Sequence, residues 1–290
     1  MINTALIGQG YWGEKLKNTL DIIKDCNLIQ TIDIKNNQSI SDLSNDVEAV
    51  VIATPAVDHL QQITKALQKN LHVYVEKPIC MNIQECDQIA KHIISDKVLM
   101  TGHILLYNDC VQYIKDTVDF TQVKSINIDR QNWGRYQHSI TPISSFAPHD
   151  VAMLDYWLDG LKIKDCNVQN INVINKNVPD IQIINFSHNT ININIKYTWL
   201  SVGKYRRVDI FSPSSCVTFD DMSKTVTSNN NYFDGQRFDY QPQQITKHFA
   251  HEPLEKEMQH FFSCIKNNLQ CRTGFEHAYK ITKMVDTLND

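Results

Sequence analysis

No Cys-x-x-Cys pair occurs among the eight cysteines of this 290-residue chain, which are Cys26, Cys80, Cys86, Cys110, Cys166, Cys216, Cys264 and Cys271. That absence argues against a zinc knuckle or a thioredoxin-type motif and leaves buried free thiols as the expectation. Charge of one sign is equally scarce: Lys and Arg number 28 against 32 Asp and Glu, a formal net charge of -4. Such a balance supplies no bulk attraction to nucleic acid or to anionic lipid, and no run of basic residues creates a local one. Apolar runs reach only strand length, and Met1-Ile2-Asn3-Thr4 lacks the basic stretch and long apolar segment of an export signal. The chain therefore predicts a cytoplasmic protein with reduced thiols, with neither nucleic acid nor membrane as partner. No metal is expected either. His248, His251 and Glu252 stand close together, but no further ligands follow at helical or knuckle spacing.

Against those absences stands Gly8-Gln9-Gly10-Tyr11-Trp12-Gly13, which follows the apolar run Ala5-Leu6-Ile7 and precedes Asp33 by twenty residues. The run predicts a strand, Gly8 a tight turn, and Gly10 a backbone that a pyrophosphate approaches without meeting a Cβ. A helix opening behind the loop would turn its free N–H groups and positive dipole end toward the phosphates. An acid at the end of the second strand accepts both ribose hydroxyls and repels a 2′-phosphate, so Asp33 predicts NAD over NADP. Glycines also serve ordinary turns, a use that requires neither the preceding strand nor the acid.

Runs at 2–7, 28–34, 47–53, 71–75 and 98–101 read as strands, separated by apolar residues at three and four spacing. Leu60, Ile63 and Leu67 form one helical stripe, and Ile83, Ile89, Ala90 and Ile93 another, with Asn82 and Glu85 as its capping box. Repeated strand, helix, strand units predict a doubly wound parallel sheet, an α/β Rossmann domain over 1–118 that binds its ligand at the C-terminal strand ends. Beyond it the periodicity changes. Ile191, Ile193, Ile195, Tyr197 and Trp199 alternate with Asn192, Asn194, Lys196 and Thr198, as on a strand with one covered face. Similar runs at 123–130, 170–174, 181–186 and 205–211 predict a large, mainly antiparallel open sheet. Helices near 149–159 and 254–288 would cover it in an α+β domain over 119–290 that binds substrate and self-associates. The Asn- and Ser-rich stretch 223–235 reads as an exposed loop.

Two strand ends carry candidate chemistry. Thr54-Pro55 follows Val50–Ala53, and Glu76-Lys77-Pro78 follows Val73-Tyr74-Val75, both at the cofactor edge of such a sheet. A lysine there can hydrogen-bond a reacting oxygen and favour negative charge on it; the competing reading is a solvated residue before a turn proline. These elements, with His59 downstream, resemble the glucose-fructose oxidoreductase, inositol dehydrogenase and MocA (Gfo/Idh/MocA) family, and Glu-Lys-Pro is its most specific mark. The resemblance continues through Gly102-His103-Ile104-Leu105-Leu106-Tyr107-Asn108, Asn132-Trp133-Gly134-Arg135, Ala147-Pro148-His149-Asp150-Val151, the 199–207 stretch, Asp220-Asp221 and Glu252-Pro253-Leu254 with Glu257. The later marks look most like the branch acting on nucleotide-linked sugars in polysaccharide biosynthesis.

That resemblance implies NAD as cofactor, with Gly8, Gly10, Tyr11, Trp12, Gly13, Asp33, Thr54, Pro55, His59, Glu76 and Lys77 around it. It further implies Lys77 as catalytic lysine, His149 as catalytic histidine, and a homodimer or homotetramer joined through the C-terminal sheet. An imidazole titrates near neutrality and so suits the proton of a sugar hydroxyl. Tyr107, Asn108, Trp133, Arg135, Ser145 and Asp150 are candidates for the sugar pocket. An acid early in a helix is also favourable without catalysis, which gives Asp150 a second reading. Lys204 and Arg206 alternate onto one face of a strand and Arg207 onto the other; the first two are candidates for a substrate phosphate, or else belong to a solvated face. One departure stands out. Where the family carries an aspartate four residues before the histidine, this chain has Ser145, whose hydroxyl can hydrogen-bond an imidazole but cannot stabilise its charge. Three readings follow: Asp150 or a water substitutes, Lys77 carries most of the proton transfer, or turnover is weakened or lost. The expected activity is hydride transfer between a sugar ring carbon and NAD. Alternatives are a keto-sugar reductase, a dehydrogenase of free sugars or cyclitols, and an NAD-binding sensor or assembly subunit without turnover.

Overall fold

A five-stranded parallel sheet and an eight-stranded mixed sheet organise the computed structural model, which describes residues 1–36, 38–132, 136, 138–230, 232–233, 238–239, 245–250 and 252–289. The first sheet is built from β1 (Ile2–Ile7), β2 (Cys26–Ile32), β3 (Ala49–Ile52), β4 (His72–Glu76) and β5 (Leu99–Gly102). Between them lie α1 (Tyr11–Leu20), α2 (His59–Gln68) and α3 (Ile83–Ala90). Its strand order is β2-β1-β3-β4-β5. All of β3 is buried, as the near-continuous apolar runs of a sheet covered on both faces require. The register pairs Ile7 with both Ile32 and Ile52, Ile52 with Val75, and Glu76 with Gly102. Gly8, Asp33, Ala53 and Glu76 therefore come level along one sheet edge. In α2 the expected stripe is seated, with Ile63 and Leu67 buried and Leu60 packed on the same core. The second stripe is shorter than expected: α3 ends at Ala90, and Ile93 is 40% exposed. Asn82 caps α3 by accepting from the Glu85 N–H at 3.0 Å. The Glu85 carboxylate turns instead to the Met81 N–H at 2.8 Å, so the box is not closed reciprocally.

The second sheet draws on β6 (Ser125–Gln131), β7 (Lys164–Ile171), β8 (Ile181–His188), β9 (Ile191–Thr198), β10 (Tyr205–Phe211), β11 (Ser215–Asp220) and β12 (Thr225–Asn230). A short ladder joins β13 (Tyr232–Phe233) to β14 (Phe238–Asp239), and β15 (Ile245–His248) closes one edge of the large sheet. The order is β15-β12-β11-β10-β6-β9-β8-β7. Neighbours run antiparallel except β6 and β9, which are parallel at the centre. With α4 (Asp109–Thr117) and α5 (Pro142–Trp157), the sheet makes an α+β unit. The alternation read from the sequence is the one observed, since Ile191, Ile193, Ile195, Tyr197 and Trp199 are all buried. Phe146 of α5 packs on Tyr197 and Trp199 at 5.8 and 4.7 Å between ring centroids.

Three expectations need correction here. The helix expected at 149–159 begins at Pro142, because Thr141 Oγ1 accepts the Ser144 N–H at 3.0 Å and a proline suits a first helical turn. The stretch expected to be a loop contains β12, whose backbone pairs with β11 from Thr225–Asp220 to Asn230–Ser215. Its polar side chains hid that ladder. The strand expected at 170–174 lies earlier, as the exposed edge strand β7.

The chain ends in α6 (Pro253–Asn267) and α7 (Phe275–Asn289). Both were expected to cover the second sheet, yet Met258, Phe261 and Phe262 of α6 are fully buried in the first unit, where Phe261 meets Tyr74 edge-on at 5.9 Å. The Thr101 N–H donates to Thr273 O at 2.8 Å, and Met100 bridges Gly274. The compact units are accordingly 1–107 with 252–286 and 108–251 with 287–290, rather than 1–118 and 119–290. The apolar stripe of α6 decides the first, while α4 joins the second through the Trp157 Nε1 bond to Val111 O at 2.9 Å.

Candidate active site

The glycine loop is shaped by its own backbone. Gly8 has φ +100°, and a Cβ there would lie 2.8 Å from Ala53 O; one on Gly13 would lie 2.0 Å from Gly8 O. Both glycines let α1 pack against the ends of β1 and β3. Gly10 differs: a Cβ there would meet nothing within 4 Å, so no contact among the described residues demands a glycine at that point. That side of the loop is open to a group approaching from outside the chain. Gly10 is the N-cap of α1, and no side chain caps that helix start, which leaves backbone donors and the positive dipole end for an anion. Asp33, directly after β2, is anchored by the Gln9 N–H to Oδ2 at 3.3 Å and the Lys35 N–H to Oδ1 at 2.9 Å. Its carboxylate keeps lone pairs for hydroxyl donors beside the loop. A pyrophosphate with an unphosphorylated ribose fits this set.

Along the same edge, Trp12 Nε1 donates to Glu76 Oε1, tying the first turn of α1 to the residue before Lys77. The Tyr74 hydroxyl donates to Glu76 Oε1 at 3.1 Å and to Glu257 Oε2 at 3.0 Å. Its single proton serves one carboxylate at a time. Enclosure raises the Glu76 carboxyl pKa against the pull of the Trp12 bond, and it holds Glu257 well above the usual carboxylate range, with the Glu76 charge adding to the rise. Glu257 is 0% exposed, and its Oε1 has no hydrogen-bond partner among the described residues. Gly102 completes the group, since a Cβ there would sit 2.5 Å from the Tyr74 hydroxyl. Thr54 is held by Gln62 through its Oγ1 at 2.8 Å.

His59, expected to touch the cofactor, is 1% exposed and lies with Nδ1 2.8 Å from Pro78 O and Nε2 3.0 Å from Thr54 O. It is a strut between the loops after β3 and β4. Burial pushes its pKa down, while the two carbonyls oppose that shift. Tyr107 is likewise buried, with its hydroxyl 3.2 Å from Thr273 Oγ1, so it belongs to the core rather than to a sugar pocket.

In the second unit, Asp150 is 0% exposed and receives Arg130 Nε at 2.8 Å and Nη2 at 2.5 Å. Burial works against the Arg130 charge, but the Asp150 carboxylate offsets it and holds the guanidinium pKa up. Asp150 is thus a buried ion-pair partner in the interior of α5, which corrects both the pocket assignment and the helix-start alternative. Asn108 caps α4 by accepting the Cys110 N–H at 2.8 Å and donates to Asp221 at 3.2 Å; it too is buried structure. Arg206 pairs with the same Asp221 at 3.3 Å, while Lys204 is exposed just before β10. Ser145 and His149 lie one turn apart on α5, both part-exposed, a spacing that puts them on one helix face. Trp133, Arg135 and His251 lie outside the described residues.

Residues 2–103 match the oxidoreductase family with an NAD-binding Rossmann fold. This part of the chain is a Gfo/Idh/MocA family domain. Its family binds NAD, the cofactor that Asp33 predicts. The 2,7-anhydro-N-acetylneuraminate hydratase of Mediterraneibacter gnavus is 27% identical over 158 residues, 48% of this chain and 42% of that protein. The UDP-N-acetylglucosamine 3-dehydrogenase of Acidithiobacillus ferrooxidans is 30% identical over 82 residues, 27% of this chain and 25% of its own. The chain thus spans less than half the length of the curated relatives it matches. The solved structure of that dehydrogenase, GnnA, superposes with a TM-score of 0.85 at 18% identity, covering 99% of this chain and 96% of its own. Levoglucosan dehydrogenase in complex with NADH gives 0.80 at 14%, covering 99% and 96%. At such identities the likeness is one of fold, and it extends across both units of the chain.

Two groups escaped the sequence reading. Glu257 was noticed only within a motif, although a glutamate at a buried helical position next to Met258 was a signal of an unusual environment. His260 and Cys264 stand at i and i+4 on α6, and Cys271 joins them, with all three ligand atoms within 4.8 Å of one another. The Cys271 thiol, and then His260, pull Cys264 down to about 5.

Proposed function

We propose that this chain is an NAD-dependent dehydrogenase that moves a hydride between a ring carbon of a nucleotide-linked sugar and the nicotinamide. The reading rests on the Trp12–Glu76 bond, which ties the residue before Lys77 to the glycine-loop helix. Bound NAD supplies the hydride acceptor. The chain's own groups do the rest. Backbone donors of the loop and the start of α1 hold the pyrophosphate, and Asp33 accepts the ribose hydroxyls and repels a 2′-phosphate. Lys77 hydrogen-bonds the reacting oxygen and favours negative charge on it. His149 takes the hydroxyl proton during oxidation and returns it during reduction, with Ser145 as a hydrogen-bonding neighbour of the ring.

The likeness to UDP-N-acetylglucosamine 3-dehydrogenase supports a nucleotide-linked substrate, with Lys204 as phosphate partner. Arg206 is the weaker candidate, because Asp221 already takes part of its donor capacity. Self-association through the outer face of the large sheet, as a dimer or tetramer, belongs to the same reading. Its alternation leaves Asn127, Asn194, Arg207 and Asp209 on that face together with Tyr205 and Phe211, 47% and 37% exposed, so such a contact would mix hydrogen bonds with apolar burial.

The test is NADH formation by purified protein over a panel of UDP-linked 2-acetamido sugars and the matching free sugars and cyclitols. Turnover restricted to the nucleotide-linked compounds, with KM raised for Lys204→Ala, supports the proposal. Equal use of free sugars supports the cyclitol or free-sugar alternative. Tight NAD binding without absorbance change anywhere on the panel would favour a sensor, a reading that Ser145 keeps open. Activity raised by Ser145→Asp would instead mark a tuned enzyme.

A further inference from the structure

We propose that His260, Cys264 and Cys271 form a binding site for a thiophilic divalent cation, Zn²⁺ by the chemistry of its donors, at the connection between α6 and α7. Two elements assemble the donors. His260 and Cys264 share one face of α6 by their i, i+4 spacing. The helix then stops at Asn268, which takes the left-handed conformation with φ 52°, and the Leu269 N–H turns back to Cys264 O at 3.0 Å. That reversal carries Cys271 toward the helix it has just left. The returning chain is itself held: the Gly274 N–H donates to Cys271 O at 3.3 Å, and Thr101 N–H donates to Thr273 O at 2.8 Å on the edge of the parallel sheet.

The distances suit a tetrahedral ion. Bond lengths of about 2.3 Å to sulfur and about 2.0–2.1 Å to imidazole nitrogen imply about 3.5 Å between an S and an N ligand, and about 3.8 Å between two S ligands. Cys264 Sγ and His260 Nε2 are 3.4 Å apart, and the third donor lies within 4.8 Å of both. His260 Nε2 accepts the Arg272 N–H at 3.1 Å, so the nitrogen a metal would take faces this loop. An incoming ion competes for the lone pair of that nitrogen, and the exposed N–H it displaces has water as a substitute. Two thiolates and an imidazole form a soft, charge-neutralising set for Zn²⁺, with one coordination position left over. A cavity of about 480 Å³ borders Cys271, Asn268 and Leu269, which gives water access to that position. On binding, Cys264 ligates as the thiolate it already is, the Cys271 S–H bond is replaced by a Zn–S bond and its one proton leaves to solvent, with no change of oxidation state.

Titration of the reduced 290-residue chain with Co²⁺ tests the assignment, because thiolate-to-cobalt charge transfer and intense tetrahedral ligand-field bands report the donor set directly. One Co²⁺ per chain with both signatures is expected, displaced stoichiometrically by Zn²⁺, together with a Tm that rises with Zn²⁺ concentration. Loss of one ligand in Cys264→Ser, Cys271→Ser or His260→Ala should weaken binding at least about tenfold, as even second-shell losses commonly do. Cys166→Ser, which removes an exposed thiol elsewhere, should leave binding unchanged. Reduced wild-type protein that shows no thiolate-to-cobalt band overturns the site, a readout that needs no variant to fold. So does equal weakening by Cys166→Ser, or an intact mass that reveals a Cys264–Cys271 disulfide persisting under reductant.

Discussion

Glu76 and Asp150 each stand next to a candidate chemical residue, Lys77 and His149 respectively, yet the two regions stabilise their carboxylates by opposite means. Glu76, part-exposed at the end of β4, is held by Trp12 and Tyr74, and enclosure raises its pKa. Asp150, wholly buried inside α5, is matched by the Arg130 guanidinium through two donors. Around Glu76 the donors are neutral, whereas at Asp150 a full guanidinium charge is buried with the carboxylate, and removing either partner would leave the other uncompensated. The difference separates an acid held by neutral donors at a sheet edge from one locked into an ion pair that builds the frame.

The sharpest way to break that comparison is to remove the chemistry from one side. Lys77→Met should lower kcat by about 10²- to 10³-fold, the usual worth of one donor that stabilises developing negative charge, while NAD still binds by calorimetry. Turnover unchanged in that variant would sink the proposed role. On the other side, Asp150→Ala leaves Arg130 buried without its carboxylate and should cost about 3–5 kcal/mol in urea unfolding. A loss below about 1 kcal/mol would mean that water reaches the guanidinium.

Glu257→Gln sharpens the comparison from below. Burial raises the Glu257 and Glu76 pKa values above the ordinary carboxyl value of 4.5, so the stability they allow is full below about that pH and falls as pH climbs through the raised values. The amide still accepts the Tyr74 proton and carries no charge. The variant should therefore raise Tm by a few degrees at neutral pH and flatten the decline between acid and neutral, in scans at successive pH values. A steeper decline would contradict the raised carboxyl. The smallest effect is expected at the Arg207–Asp209 pair, where the arginine side chain is 56% exposed. Arg207→Ala should change stability by no more than about 1 kcal/mol, less in high salt.

Local patterns in the chain were enough for much of this. Glycines at 8, 10 and 13 with Asp33 specified a dinucleotide loop, because turn sterics and a carboxylate at a strand end act over a few bonds and one βαβ unit. The two-residue alternation of Ile191 to Trp199 specified a sheet with one covered face for the same reason. Polar strands such as β12 were illegible, since their ladder is made by backbone groups that no side-chain pattern records. Which sheet α6 covers was illegible too, because an apolar stripe specifies burial and not the partner.

By itself, the amino-acid sequence determined the parallel first unit, its NAD-family loop and the position of Lys77 at a strand end. Only the tertiary structure decided which candidates are frame. Asp150 faces Arg130, His59 braces two loops, Asn108 caps a helix, and Tyr107 is core. It also decided that residues 252–286 return to the first unit, bringing Glu257 to Tyr74 and forming the His260, Cys264 and Cys271 cluster there. The physical reason is common to all of them. The role of a polar side chain depends on the charges and donors that burial puts beside it, and residues such as Tyr74 and Glu257 meet only when chain segments far apart in sequence pack together.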